Sequence, residues 1–465
     1  MACPPGKRKD ANSDEMKQSQ MSGMEDHQTL KCKLRTLLES EDIRQEEGDI
    51  PYLRRVCEHS LCYDTYLKLK NVVKVAAVTR EFRAVVDLFK VPEGETPAGF
   101  RVDYLLEEGT VLKVDLARDI SYGRNGIKRP TNVLFSADSA NPYEVEPIKD
   151  LLANLTCNPG IIYDLFINNP KANKDNRFKT RDEVMRELGR ILGPGVDISV
   201  ELNDPFNSST ERILEEAAKF REMLTKYRVV IKVPHTGPVN AANVQELLSE
   251  GKKFYRRYQE GSTQDMLHGH NLALMLKEHG YRVNFTLMFE PYQTLLALQA
   301  RPYFINSFIR HRHHQSQNIK ALLSAYELGG NEAHLKQLRT FMIEGDYFSA
   351  NDSNLDLNTV KETAKLLLEY RKVDTSEGRD GLDGVRHNLR VLRNANLPDT
   401  RLIICSMEGP RNYPDIDKLL AEEEFRDMNK RVVITAEPSY LAMFTSCNLV
   451  VSYQRRFMNA AKGGQ

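Results

Sequence analysis

The pattern of hydrophobic and polar positions changes character near residue 131. Before it, "TLKCKLRTLLES" and "TREFRAVVDLFK", within residues 29–90, place apolar side chains at helical spacing. "VPEGETPAG" then reads as a turn cluster, and "TVLKVDLARDI" alternates as a strand does. After residue 131, short apolar runs alternate with longer amphipathic stretches. The runs are "NVLFSA", "ANLTCNP", "VDISVEL", "RVVIKVP", "YRVNFTLMF", "YFINSFI", "RLIICSM" and "RVVITAEP". Between them lie helical stretches such as "STERILEEAAKFREMLTKY" and "DMLHGHNLALMLKEHG". Continuous β-branched runs read as strands buried on both faces, as in parallel sheets. Eight of them alternating with helices predict an α/β fold closed as a (β/α)8 TIM barrel. Neither a GxGxxG nor a P-loop sequence follows the first run, which argues against a nucleotide-binding doubly wound sheet.

This pattern predicts a polar, disordered tail over 1–27 and a mainly helical extension over 28–130 whose role is not readable. The barrel is expected over 131–460. Its sixth and seventh strands are separated by a helical insertion at 314–398 ("IKALLSAYELGG", "NEAHLKQLRTFMI", "LNTVKETAKLLLEYRK") with a polar turn, "DTSEGRDGLDG". In a barrel, an elaborated βα segment lies on the C-terminal, active-site face.

Composition narrows the function classes. Lys plus Arg equals Asp plus Glu, 65 each in 465 residues, so no global field draws nucleic acid or an anionic membrane. The seven cysteines are scattered without a CxxC, which fits a reduced compartment. The N-terminus has no apolar signal-peptide core, and no run of about twenty apolar residues suggests a membrane span. The expectation is a soluble, cytoplasmic protein.

Polar residues recur late in the predicted strands. Asp138 follows "VLFSA", Asn158 follows "ANLTC", Glu201 ends "VDISV", and Lys232 sits inside "VVIKVPHTGP". Asn284 and Thr286, two apart, face one side of their strand. Asn306 and Ser307 lie in "FINSF", and Ser406 ends "LIIC". In a barrel these residues ring the mouth where chemistry is placed. A desolvated lysine loses its proton near neutral pH and attacks a ketone to form a Schiff base, while nearby carboxylates move protons. Taken singly, each residue has a plain structural explanation. A strand-end lysine snorkels, Asp138 caps a helix, Glu201 is a solvated charge, and Asn158-Pro159 is a turn. Only the joint pattern favours chemistry. The histidines of "RHRHHQ" (310–315) are adjacent rather than helically spaced and have no nearby Cys or Asp, so a cationic contact is preferred to a metal site.

Residues 131–446 resemble the transaldolase family of Schiff-base aldolases. "SADSANPYEVEPI", "TCNPGIIYDL", "ISVELND", "VVIKVPHTGP", "VNFTLMFEPYQTLLALQA", "FINSFIRHR", "ICSMEGPRN" and "VVITAEPSYL" are similar to its strand segments, in its order. The resemblance implies that Lys232 forms the Schiff base and Asp138 takes the proton released on carbon–carbon cleavage. It implies that Glu201 and Thr286 hold a water, and that Asn158 and Asn284 hold donor hydroxyls. Phe308 matches transaldolases proper, where related fructose 6-phosphate aldolases have tyrosine. The implied activity is transfer of a dihydroxyacetone unit between sugar phosphates in the pentose phosphate pathway, without metal or cofactor. A homo-oligomer is compatible with it.

The chain departs from the family at the substrate's far end. Asn306 and Ser307 stand where the family has serine and proline. His311 stands where it has its phosphate-binding arginine, flanked by Arg310 and Arg312. Ser406 matches, but Glu408 replaces a basic residue, with Arg411 placed to compensate. Two alternatives therefore stand beside the transferase: a Schiff-base aldolase on a non-phosphorylated or specialised substrate, and a non-catalytic barrel with a binding or regulatory role.

Overall fold

A computed structural model describes residues 30–89, 96–97, 99–123, 126–207, 209–248, 253–405 and 411–463; the tail expected to be disordered, 1–27, lies outside them. The chain divides between Arg118 and Asp119 into two compact units.

In the first unit, β1 (Lys31–Lys33) pairs antiparallel with β3 (Ser60–Cys62). A second sheet contains β2 (Arg44–Gln45), β4 (Val75–Val78), β5 (Phe100–Glu107) and β6 (Val111–Arg118), in the order β2-β4-β6-β5. The strand expected at "TVLKVDLARDI" is β6. Its partner β5 joins it through Glu108-Gly109, both at positive φ, the geometry of a tight hairpin turn. Helix Arg80–Phe89 buries Phe82, Val85 and Val86, as its spacing predicts. "TLKCKLRTLLES" is helical only over Leu34–Leu38, because Lys31–Lys33 is taken into β1. Strands thus share this extension with its helices. Buried Asp49 accepts the Val78 N–H at 2.8 Å and pairs with Arg83.

In the second unit, all eight predicted strands form. They are β7 (Leu134–Asp138), β8 (Leu152–Thr156), β9 (Asp197–Glu201), β10 (Val229–Pro234), β11 (Val283–Thr286), β12 (Phe304–Phe308), β13 (Arg401–Cys405) and β14 (Val432–Ala436). They close a parallel barrel, with β14 pairing back onto β7. Alternation along each strand divides the core in two. Ala137, Leu155, Val200, Ile231, Phe285, Ile305, Ile404 and Ile434 face the helices. Leu134, Ala153, Val230, Phe304, Ile403 and Val433 fill the interior, joined by Ile120 from before the first strand. The Arg129 guanidinium ties the same lead-in segment down by donating to the Ile120 and Gly195 carbonyls at 3.1 and 2.9 Å.

Between β12 and β13 run helices His311–Gly329, Glu332–Glu344 and Leu357–Tyr370, which share a core of Ile319, Leu335, Leu338, Met342, Val360 and Ala364. Gly330, at φ +62°, ends the first of them in the left-handed conformation a helix C-terminus favours. A fourth helix, Asp383–Arg393, returns to the main core through Val385, Leu389 and Leu392. A buried ion network anchors the segment. Glu290, beyond β11, pairs with Arg371 and with Arg312 (3.3 Å), and Arg312 pairs with Asp383. Arg371 also donates to Ser316 Oγ (3.0 Å) and Tyr347 Oη (2.9 Å). Among the described residues, no helix is long and apolar enough to cross a membrane.

Candidate active site

Lys232 lies in β10, whose every residue is buried. Only 5% of the lysine is exposed. The β9–β10 register places Glu201 directly beside it, and the β10–β11 register places Asn284 on its other side. The ammonium nitrogen is 3.3 Å from Glu201 Oε2 and donates to the Cys157 carbonyl at 3.2 Å. Burial pulls the Lys232 pKa down, but Glu201 and then Asp138 pull it up by more, so the net shift is upward. This corrects the expectation of a neutral amine. A strand read alone shows the burial and not the carboxylate that the fold brings beside it. Lys232 and Glu201 thus form an ion pair within the barrel mouth.

Asp138 ends β7 on the interior-facing register of Leu134 and Ser136. Burial raises its carboxyl to about 6. Lys232 opposes the rise, while Glu437 and Glu201 add to it. Asp138 therefore exchanges its proton near neutral pH, as a group serving alternately as acid and base requires.

The amides complete the mouth. Asn284 is 0% exposed, and neither its Oδ1 nor its Nδ2 has a hydrogen-bond partner among the described residues. A buried amide without partners costs about 1–3 kcal/mol, so this pair of atoms suits a polar ligand's hydroxyls. Thr286 Oγ1 accepts from Asn306 Nδ2 at 3.1 Å, and Asn306 Oδ1 stays unpartnered among the described residues. Phe308 stacks on Phe289, with ring centroids 4.6 Å apart, and His311 meets Phe289 edge-on.

Other expected residues lie elsewhere or are already engaged. Ser307, adjacent to Asn306, takes the opposite face of β12, between the inward positions 306 and 308. Asn158 Oδ1 accepts the Ile161 N–H at 2.9 Å, as a turn residue does. Arg310 is held by Asp415, Asn412 Oδ1 (2.5 Å) and the Asp380 carbonyl (2.8 Å). Arg411 is exposed, 3.8 Å from Asp415. Ser406 and Glu408 lie outside the described residues. Within "RHRHHQ", Arg312 belongs to the anchoring ion network, and no cluster of three metal-ligating side chains exists among the described residues.

Several interior polar groups escaped the sequence reading. Asn154 Nδ2 donates to Ser136 Oγ (2.9 Å), and Ser199 Oγ donates to Asn154 Oδ1 (3.1 Å). The hydroxyls of Thr156 and Thr435 are buried without partners among the described residues. Ser136 and Ser199 lie two residues before Asp138 and Glu201, so stepping back by the strand period finds them.

A parallel eight-stranded barrel with a buried lysine, two carboxylates and unpartnered amides at its C-terminal mouth is a class I aldolase-type enzyme in architecture. Residues 135–334, from β7 past β12, match the family model described as Transaldolase/Fructose-6-phosphate aldolase, which supports a place for the barrel in that family. The match covers the strands that carry Asp138, Glu201, Lys232, Asn284, Thr286 and Phe308. No curated protein matches the chain.

Proposed function

We propose that the protein transfers a dihydroxyacetone unit from a ketose phosphate to an aldose phosphate through a Schiff base on Lys232, as a cytoplasmic enzyme of the pentose phosphate pathway. The observation that carries this is the Glu201–Lys232–Asp138 grouping around one buried amine. The amine passes its proton to Glu201 and attacks the donor carbonyl, and loss of water gives the iminium. Asp138 then takes the proton of the hydroxyl beyond the scissile bond. That oxygen's electrons form the aldehyde C=O, the carbon–carbon pair moves toward the iminium, and nitrogen receives the last pair. The enamine stays bound beside Asn284. Attack on a second aldehyde reverses the sequence, with Asp138 returning its proton to the new hydroxyl.

A cavity of about 550 Å³ lined by Arg310, Arg379, Arg386, Arg411 and Lys418 supports an anionic substrate. Asp380, Asp415 and Glu422 also line it, and Arg310 is already paired, which favours the second reading of a non-phosphorylated substrate. Borohydride treatment with fructose 6-phosphate is expected to fix a three-carbon adduct on Lys232, located by peptide mass. No adduct with any ketose rejects the Schiff base. An adduct formed equally well with fructose selects the second reading.

A further inference from the structure

Glu437 follows the last barrel strand and belongs to none of the roles above. The β14–β7 register runs Val433 to Leu134, Thr435 to Ser136 and Ala436 to Ala137, so the next step sets Glu437 beside Asp138. Neighbouring strands lie about 4.8 Å apart, and residues two apart share a face. Val433 faces the interior, so Glu437 leaves the strand on the same side as Asp138. Pro438 fixes this exit. The residue before a proline is kept extended, and Glu437 has φ −59° and ψ 143°. Its side chain does not cap the helix Pro438–Met443, and it makes no hydrogen bond or ion pair among the described residues. An exposed carboxylate is therefore held at the rim beside the group that must both accept and return a proton.

We propose that Glu437 is a positioning residue for the carbon–carbon step: strand register places its carboxylate beside Asp138, and it acts through that group. The proposal rests on the lysine-centred reading above. The titratable groups within electrostatic reach of Asp138 are Lys232 from β10, Glu201 from β9, Glu437 beyond β14, and the thiols of Cys157 and Cys405, the first of these thiols lying in the core on the helix side. Burial is the largest influence raising Asp138, and Lys232 opposes it. Of the two carboxylates, Glu437 contributes more than Glu201. Glu201 is already neutralised in its pair with Lys232. Glu437 has no such partner among the described residues, so its charge is not divided between two groups there. In the transfer, a protonated Asp138 is needed when the acceptor aldehyde oxygen becomes a hydroxyl. A neighbouring negative charge makes that proton available without blocking its earlier uptake.

Infrared titration of the protonated-carboxyl stretch tests this, each protein being compared with its own Asp138→Asn form. In Glu437→Gln the Asp138 midpoint is expected to fall by roughly 0.5–1 pH unit, and in Glu437→Asp to stay. In the unaltered protein, high salt is expected to move the midpoint the same way, because an exposed charge is screened. This second measurement needs no variant to fold. The acid limb of kcat/KM is expected to follow the infrared midpoint, with KM little changed. A midpoint unmoved by Glu437→Gln, or by salt where that variant does not fold, overturns the proposal. A midpoint that moves in a protein without turnover overturns the proposed function, and with it the role in the carbon–carbon step, leaving only the influence of Glu437 on Asp138.

Discussion

Burial holds the Asp138 carboxyl near 6, above its ordinary 3.8, and this works against the fold. Between those values the native state binds more protons than the unfolded chain, so stability falls as pH rises from about 4 to 6. Above that window the whole penalty is present, roughly 2–3 kcal/mol from a shift of this size. Asp138→Asn is therefore expected to raise the melting temperature at pH 7 and leave it unchanged near pH 3.5, while abolishing turnover. A variant less stable than the parent at pH 7 contradicts the sign. Asp138, Glu201 and Lys232 were legible as polar residues late in apolar runs. The charge of Lys232 was not, because Glu201 lies in a different strand and only the register brings it to 3.3 Å. Ser307 was misplaced for a related reason: neighbours in a strand face opposite ways, and Asn306 had already taken the interior.

At the scale of elements, the inserted helices depend on groups far apart in sequence. Glu290, Arg312, Arg371 and Asp383 form one buried network, and Arg371 is 5% exposed. Removing one partner of such a network leaves a buried charge unpaired, which costs about 3–5 kcal/mol. Arg371→Met is expected to destabilise the barrel unit by that order in denaturant unfolding. Glu290→Gln with Arg371→Met is expected to recover part of the loss, and strict additivity of the two single changes rules out the coupling. The loop carrying Glu290 also carries Phe289, which stacks on Phe308, so the Arg371 variant should loosen the mouth and raise KM. The helices themselves were readable from their apolar spacing and the eight strands from their unbroken apolar runs. The sheet of the extension was largely missed. Its strands are short or, like β5, mostly exposed, so they lack the doubly buried texture that marks the barrel strands.

At the scale of the whole molecule, the texture of the sequence changes at residue 131, but the barrel unit begins at Asp119. The lead-in segment escaped notice because it is not a strand. It contributes one interior side chain, Ile120, and through Arg129 it binds the carbonyls of Ile120 and Gly195. Asp119 also pairs with Arg401 at 3.2 Å, at the start of β13. Ile120 is 0% exposed, and burying a side chain of this size stabilises by about 1.5–3 kcal/mol. Losing it opens the end of the interior core opposite the lysine, where Leu134, Val230 and Phe304 meet. Two truncated chains separate these contributions. A chain beginning at Asp119 is expected to keep the barrel's circular dichroism, its unfolding midpoint and the borohydride adduct on Lys232. A chain beginning at Thr131 is expected to unfold at distinctly lower denaturant, with Lys232 still reactive wherever the barrel is folded. Equal midpoints for the two chains would place the lead-in outside the barrel's core. Loss of the adduct from the Asp119 chain, with its fold intact, would make the first unit part of the chemistry.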